Sequence, residues 1–174
     1  MSKTRALLVV ALMTAGLLAG IGTATAAPKG GYSQPTVQWV SPTVLASSHA
    51  GGGGAIVQAR YQCWGGDVGT HLFIAVKQGE LISPENTGSA NATAFYSTNW
   101  GSDGPSLALH CDGASHNQSF RLVNDPYWWN TAAAPKLVSG SALIQFCLFD
   151  STSSEGSDSG FALDYSMGTV KVLN

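Results

Sequence analysis

The side chains able to do chemistry are few and scattered. Four histidines occur, at His49, His71, His110 and His116. A metal site built on one β-strand favours His-x-His, which puts two imidazoles on one face, and that pattern is missing. His110 and His116 flank Asp112-Gly113, so a tight turn there would bring two imidazoles and a carboxylate together. The plainer reading is a polar turn with surface histidines. Glycoside hydrolysis needs two carboxylates about 5–10 Å apart. Asp67, Glu80, Glu85, Asp103, Asp112, Asp125, Asp150, Glu155 and Asp158 fall mostly in polar stretches, and no spacing singles out a pair. Ser, His and Asp are all present, but no Gly-x-Ser-x-Gly elbow is. The glycine run 51–54 has no Lys-Ser/Thr after it, so it reads as a loop between strands and not a phosphate cradle. The chain is therefore expected not to be an enzyme and to need no metal and no cofactor.

The aromatic residues are the better lead. Tyr127, Trp128 and Trp129 are consecutive and lie between Pro126 and Pro135. Three adjacent rings in a loop cannot all point inward. Exposed Trp and Tyr commonly mark binding surfaces, including flat platforms for sugar rings. The competing reading is that one of them plugs an open end of the fold. Trp39 and Trp64 read as packing residues. Asn91-Ala92-Thr93 and Asn117-Gln118-Ser119 match the N-glycosylation pattern, which is short enough to recur by chance.

Three cysteines allow three single bridges and leave one odd thiol. Cys63 closes a stretch in which Val57, Ala59 and Tyr61 share its face. Cys147 alternates with Phe146 and Leu148, so it faces away from that strand's apolar side. Cys111 shares a face with Leu107 and Leu109 and stands just before the Asp112-Gly113 turn. These faces favour Cys63–Cys111 over Cys63–Cys147 and leave Cys147 as a buried free thiol. A catalytic thiol needs an electropositive setting and a nearby base, and neither lies close in sequence.

The elements that would carry these residues are short strands. Residues 55–64 and 71–78 alternate apolar and polar with period two, and 141–149 puts Ala142, Ile144, Phe146 and Leu148 on one face. Weaker strands are expected at 36–40, 92–99, 106–111, 119–123, 161–166 and 169–173. Pro42 interrupts the first, and Asp112-Gly113 is read as a hairpin turn. No segment beyond the first residues keeps a 3.6-residue period. The pattern predicts an all-β, antiparallel immunoglobulin-like β-sandwich of about seven to nine strands in Greek-key order, spanning 36–174.

Residues 1–26 read as a signal peptide. Lys3 and Arg5 precede an uncharged apolar run over 6–21, and Ala24-Thr25-Ala26 supplies small residues at −3 and −1. Cleavage is expected between Ala26 and Ala27, followed by a flexible segment 27–35. The run is shorter than the roughly 20 residues that span a bilayer, so no membrane attachment is expected after cleavage. Removing Lys3 and Arg5 leaves six of the eight basic residues against ten acidic ones, a formal charge of −4. No basic patch exists, so nucleic acid is not an expected partner.

The motifs Tyr61-Gln62-Cys63, Val76-Lys77-Gln78, Cys111-Asp112-Gly113 followed by His116, and the closing segment 160–172 resemble small secreted actinobacterial proteins of uncharacterised function. These carry a signal peptide and one immunoglobulin-like domain. The resemblance implies compartment and fold, not activity, and Cys147 is an addition to the two-cysteine pattern. The expected function is that of a secreted, non-enzymatic binding module whose loop aromatics contact an extracellular glycan or protein. The alternatives are a structural protein of the cell surface without a pocket, and a carrier for a small apolar ligand.

Overall fold

A computed structural model describes residues 32–47, 54–66, 70–98, 107–124, 135–153 and 159–173. The signal segment, the cleavage site at Ala26 and Ala27, and Tyr127, Trp128 and Trp129 lie outside the described residues. Eight strands follow in chain order: β1 (Thr36–Val40), β2 (Thr43–Ser47), β3 (Gly54–Gln62), β4 (His71–Gln78), β5 (Ala94–Ser97), β6 (Ser115–Asn124), β7 (Gly140–Phe149) and β8 (Phe161–Leu173). A 3-10 turn at Ser89–Asn91 stands between β4 and β5.

The all-β expectation holds, but the immunoglobulin-like antiparallel sandwich does not. One sheet runs β1-β3-β2-β8-β7-β4-β5-β6, and β6 pairs back onto β3, closing a mixed barrel of seven strands. β3 and β6 match along nine consecutive pairs, from Gly54 opposite Val123 to Gln62 opposite Ser115. Every pairing in the ring is antiparallel except β2 with β8, where Thr43–Ser47 run parallel to Thr169–Leu173. β1 and β2 share one edge of β3 as a single path bent at Pro42, the interruption expected there. Pro42 has no N–H to give, but its carbonyl accepts from Thr169 N at 2.8 Å and so carries the chain into the parallel pair.

Period-two alternation fills the barrel. Val57, Ala59, Tyr61, Leu72, Ile74, Val76, Ile144, Phe146 and Leu148 form one buried interior cluster, as their faces predict. A second cluster lies outside the barrel wall. Phe73, Ala75, Phe95, Leu143 and Cys147 point outward from β4, β5 and β7, and Ile82 and Ala92 from the 79–93 connection cover them. β4 and β7 are thus buried on both faces, which explains their near-continuous apolar runs.

Two further expectations change. Residues 107–111 form no strand; the chain turns at Ala108, which has φ 52°, and β6 is a single strand of ten residues. Residues 32–34, expected to be loose, are tied to the 150–160 loop. Tyr32 Oη donates to Asp150 Oδ2 at 3.1 Å, and Gly160 N donates to Gln34 Oε1 at 2.6 Å.

Cys63 and Cys111 are joined by a disulfide, and Cys147 is a buried free thiol. The bridge ties the end of β3 to the chain entering β6, and such bonds persist in an oxidising compartment. Its loop spans 48 residues, worth about 4 kcal/mol in the chain-entropy treatment. The double substitution Cys63→Ala/Cys111→Ala is expected to lower stability by about that amount in urea unfolding. Gly168→Ala is a second check. A Cβ there would stand 2.6 Å from Ile144 Cδ1 and 2.7 Å from the Pro42 carbonyl oxygen, so a loss of about 1–3 kcal/mol is expected.

Candidate functional site

The two ends of the barrel differ. At one end lie the disulfide, the start of β6 and residues 150–153 and 159–160. At the other lie the ends of β4 and β6 and the beginnings of β5 and β7.

The first end is knitted by side chains. His116 Nε2 stands 2.8 Å from Asp112 Oδ1, and the His110 and His116 rings lie 5.2 Å apart, the approach that the Asp112-Gly113 turn predicts. The three do not make a metal centre: among the described residues no group of three or more His, Cys, Asp or Glu side chains converges as ligands. Burial pushes the Asp112 carboxyl upward, but hydrogen bonds from His116 and from Ala114 N outweigh it and hold the group below its ordinary value. Tyr61 Oη, reaching out of the core, donates to Gln118 Oε1 at 2.8 Å and accepts from His110 N at 3.1 Å. Asp150 is fully buried there, its Oδ1 accepting from Thr152 N and Thr152 Oγ1. Trp64 covers Gly113, where any Cβ would meet the indole at 2.5 Å, and its Nε1 donates to Ser33 Oγ. Trp64 is thus a packing residue, as expected. Trp39 is not: its side chain is exposed.

The other end is called the open end for the cleft that described residues form there. A cleft of about 520 Å³ is lined by Gln78, Gly79, Glu80, Thr93, Ala94 and the segment 135–141, excluding Leu137. Gln78 builds its floor. Its Nε2 donates to the carbonyls of Val138 and Ser141, and its Oε1 accepts from Val138 N. A buried amide fully used in this way fixes the segment 138–141 against β4. Val138 projects with 64% of its surface exposed, and Glu80 and Lys136 are also exposed. The cleft therefore offers an apolar wall with one charge of each sign. Pro135 and Lys136 are the residues at which the chain returns from 125–134, the segment holding Tyr127, Trp128 and Trp129.

Sequence reasoning missed a polar chain on the outer wall. Lys77 Nζ donates to the Thr87 carbonyl at 2.6 Å and to Gln145 Oε1 at 2.9 Å, and stands 5.2 Å from the centre of the Phe95 ring. Gln145 Nε2 donates to Cys147 Sγ at 3.5 Å, and the thiol meets Tyr165 Oη at 3.7 Å. Burial lowers Lys77 and raises the Cys147 thiol, which favours the neutral form of each. The outward face of Cys147 and its state as a buried free thiol were legible in advance, but its partners were not. Lys77 was hidden because a lysine in an alternating strand normally marks the wet face.

Tyr165 carries the measurable consequence. Burial, with the adjacent Cys147, pushes its phenol from 10.0 up to about 12. A raised acid contributes stability below its unfolded pKa that is lost as pH rises through the folded one. Phenolate absorbance should therefore show a component ionising near pH 12 that is absent in Tyr165→Phe, with stability falling between about pH 10 and 12.

Compared with known proteins, the chain matches no family model, no curated protein and no solved structure.

Proposed function

We propose that this chain is a secreted, non-enzymatic binding domain that takes an extracellular ligand, a polysaccharide or a protein, at the open end of its barrel. The cleft beside Val138 carries this reading. It has an apolar wall, polar groups at its rim, and a direct chain connection to the segment bearing Tyr127, Trp128 and Trp129. Secretion rests on the signal-like residues 1–26 and accords with the disulfide. No helix among the described residues is long and apolar enough to cross a membrane.

Intrinsic tryptophan fluorescence with acrylamide quenching, during titration with cell-wall polymer and soluble glycans, tests this. A ligand-dependent blue shift and protection are expected, abolished by Val138→Asp and by Trp128→Ala/Trp129→Ala and retained by His116→Ala at the opposite end. Signals that ignore every ligand, or binding that survives both cleft-side changes, would remove the open end as the site.

A second reading, a surface interaction protein without a pocket, is favoured by one observation. Phe161, Leu163, Tyr165 and Met167 alternate along the outer face of β8, each 36–45% exposed. They form an apolar stripe about 20 Å long. If this reading holds, sedimentation should show association that Leu163→Lys reverses, with the glycan response unchanged.

A further inference from the structure

β1 contains a bulge that turns one indole outward. Val37 pairs with Tyr61 and faces the barrel interior, so strict alternation would send Trp39 inward and Val40 outward. The register instead slips between Val37 and Trp39, placing Trp39 opposite Arg60 and Val40 opposite Ala59. Val40 enters the core, and Trp39 is left 46% exposed on the outer wall. A bulge that inverts a side chain spends a ladder position to do so, and such bulges recur where a side chain is re-aimed for contact.

Trp39 borders a groove lined by uncharged groups, and the exposed Arg60 stands next to it. A groove of about 300 Å³ is lined by Trp39, Gln58, Ala59, Asn117, Gln118 and Ser119. Gln58 and Ser119 stand opposite each other on β3 and β6 and are joined at 3.3 Å. Arg60 and Asn117 form the neighbouring outward pair, in line with Trp39. Neither the Trp39 indole N–H nor the Asn117 amide makes a hydrogen bond within the described residues, so both are available to a ligand.

We infer that this groove is a carbohydrate subsite, in which a pyranose ring of a neutral oligosaccharide lies on Trp39 while Asn117, Gln58 and Ser119 hydrogen-bond its hydroxyls. An indole face matches the apolar C–H face of such a ring. The neighbouring strands, about 4.8 Å apart, set amide and hydroxyl groups along the ring edge. Arg60 adds guanidinium donors to the same row. An apolar peptide would find only one apolar side chain here among amides and a hydroxyl. The subsite stands on the wall of the barrel and does not depend on the cleft at its open end.

The test is ¹⁵N–¹H spectroscopy of the purified protein, following the five indole N–H signals during titration with cellotetraose and chitotetraose, with the Trp39 signal assigned by Trp39→Phe. One sugar is expected to shift the Trp39 signal saturably. Trp39→Ala should weaken its binding at least about tenfold, and Asn117→Ala should weaken it severalfold. Val138→Asp at the open end should bind the sugar as the parent does. A Trp39 signal unmoved by both sugars overturns the inference, as does full affinity in Asn117→Ala and Trp39→Ala. A shift of Trp39 that Val138→Asp abolishes assigns the sugar to the cleft and also overturns it. Because both tested wall residues are exposed, their variants should fold; the signal shift in the parent decides independently if one does not.

Discussion

A closed ring of seven strands cannot alternate in direction all the way round. At least one neighbouring pair must run parallel, and here it is β2 with β8. The rest of the architecture is arranged to permit that pair. Pro42 bends the path from β1 to β2, its carbonyl receives Thr169 N, and Gly168 leaves space for that carbonyl and for Ile144. At the far end of β8, Gly160 N binds the Gln34 side chain in the same chain offset that relates Thr43 to Thr169. Between those two fastenings β1 holds its ladder with β3 and none with β8. The seam is laced at its ends and unladdered in its middle.

Closure also decides how burial is shared. Tyr61, Phe146, Leu72 and their neighbours are buried together in the interior. Among the described residues the cleft lies at one end and the groove on the outer wall. On the wall the 79–93 connection covers β4, β5 and β7 but leaves the β8 stripe bare. Lys77 survives under that cover because the Thr87 carbonyl, the Gln145 amide and the Phe95 ring replace water around its ammonium.

Period two tells which face a residue takes, and this much was legible: Val57, Ala59, Tyr61 and Cys63 point in, and Cys147 points out. The same alternation serves a sandwich and a barrel equally well, because it names faces and not neighbours. The β3–β6 ladder and the parallel pair are long-range pairings with no local signature, so the sequence pattern carries the fold class only as far as all-β. Cys63–Cys111 was accessible because it required only that two chain segments reach one end. Trp39 was assigned to packing because a bulge at Gln38 leaves no mark in the sequence; Gln38 is an ordinary strand residue. The turn at Ala108 was hidden for the same reason, since alanine rarely adopts positive φ.

The parallel pair has a mechanical side. β1 begins at the disulfide end of the barrel and β8 finishes at the open end, so residues 36 and 173 stand at opposite poles. Tension drawn between them would slide β2 along β8 and β8 along β7. The five matched positions of the first pair and the ten of the second would be loaded together in shear. Bonds strained in concert yield at higher force than bonds unzipped singly from one end. A chain held at one pole and pulled at the other would therefore meet its stiffest direction along the barrel axis.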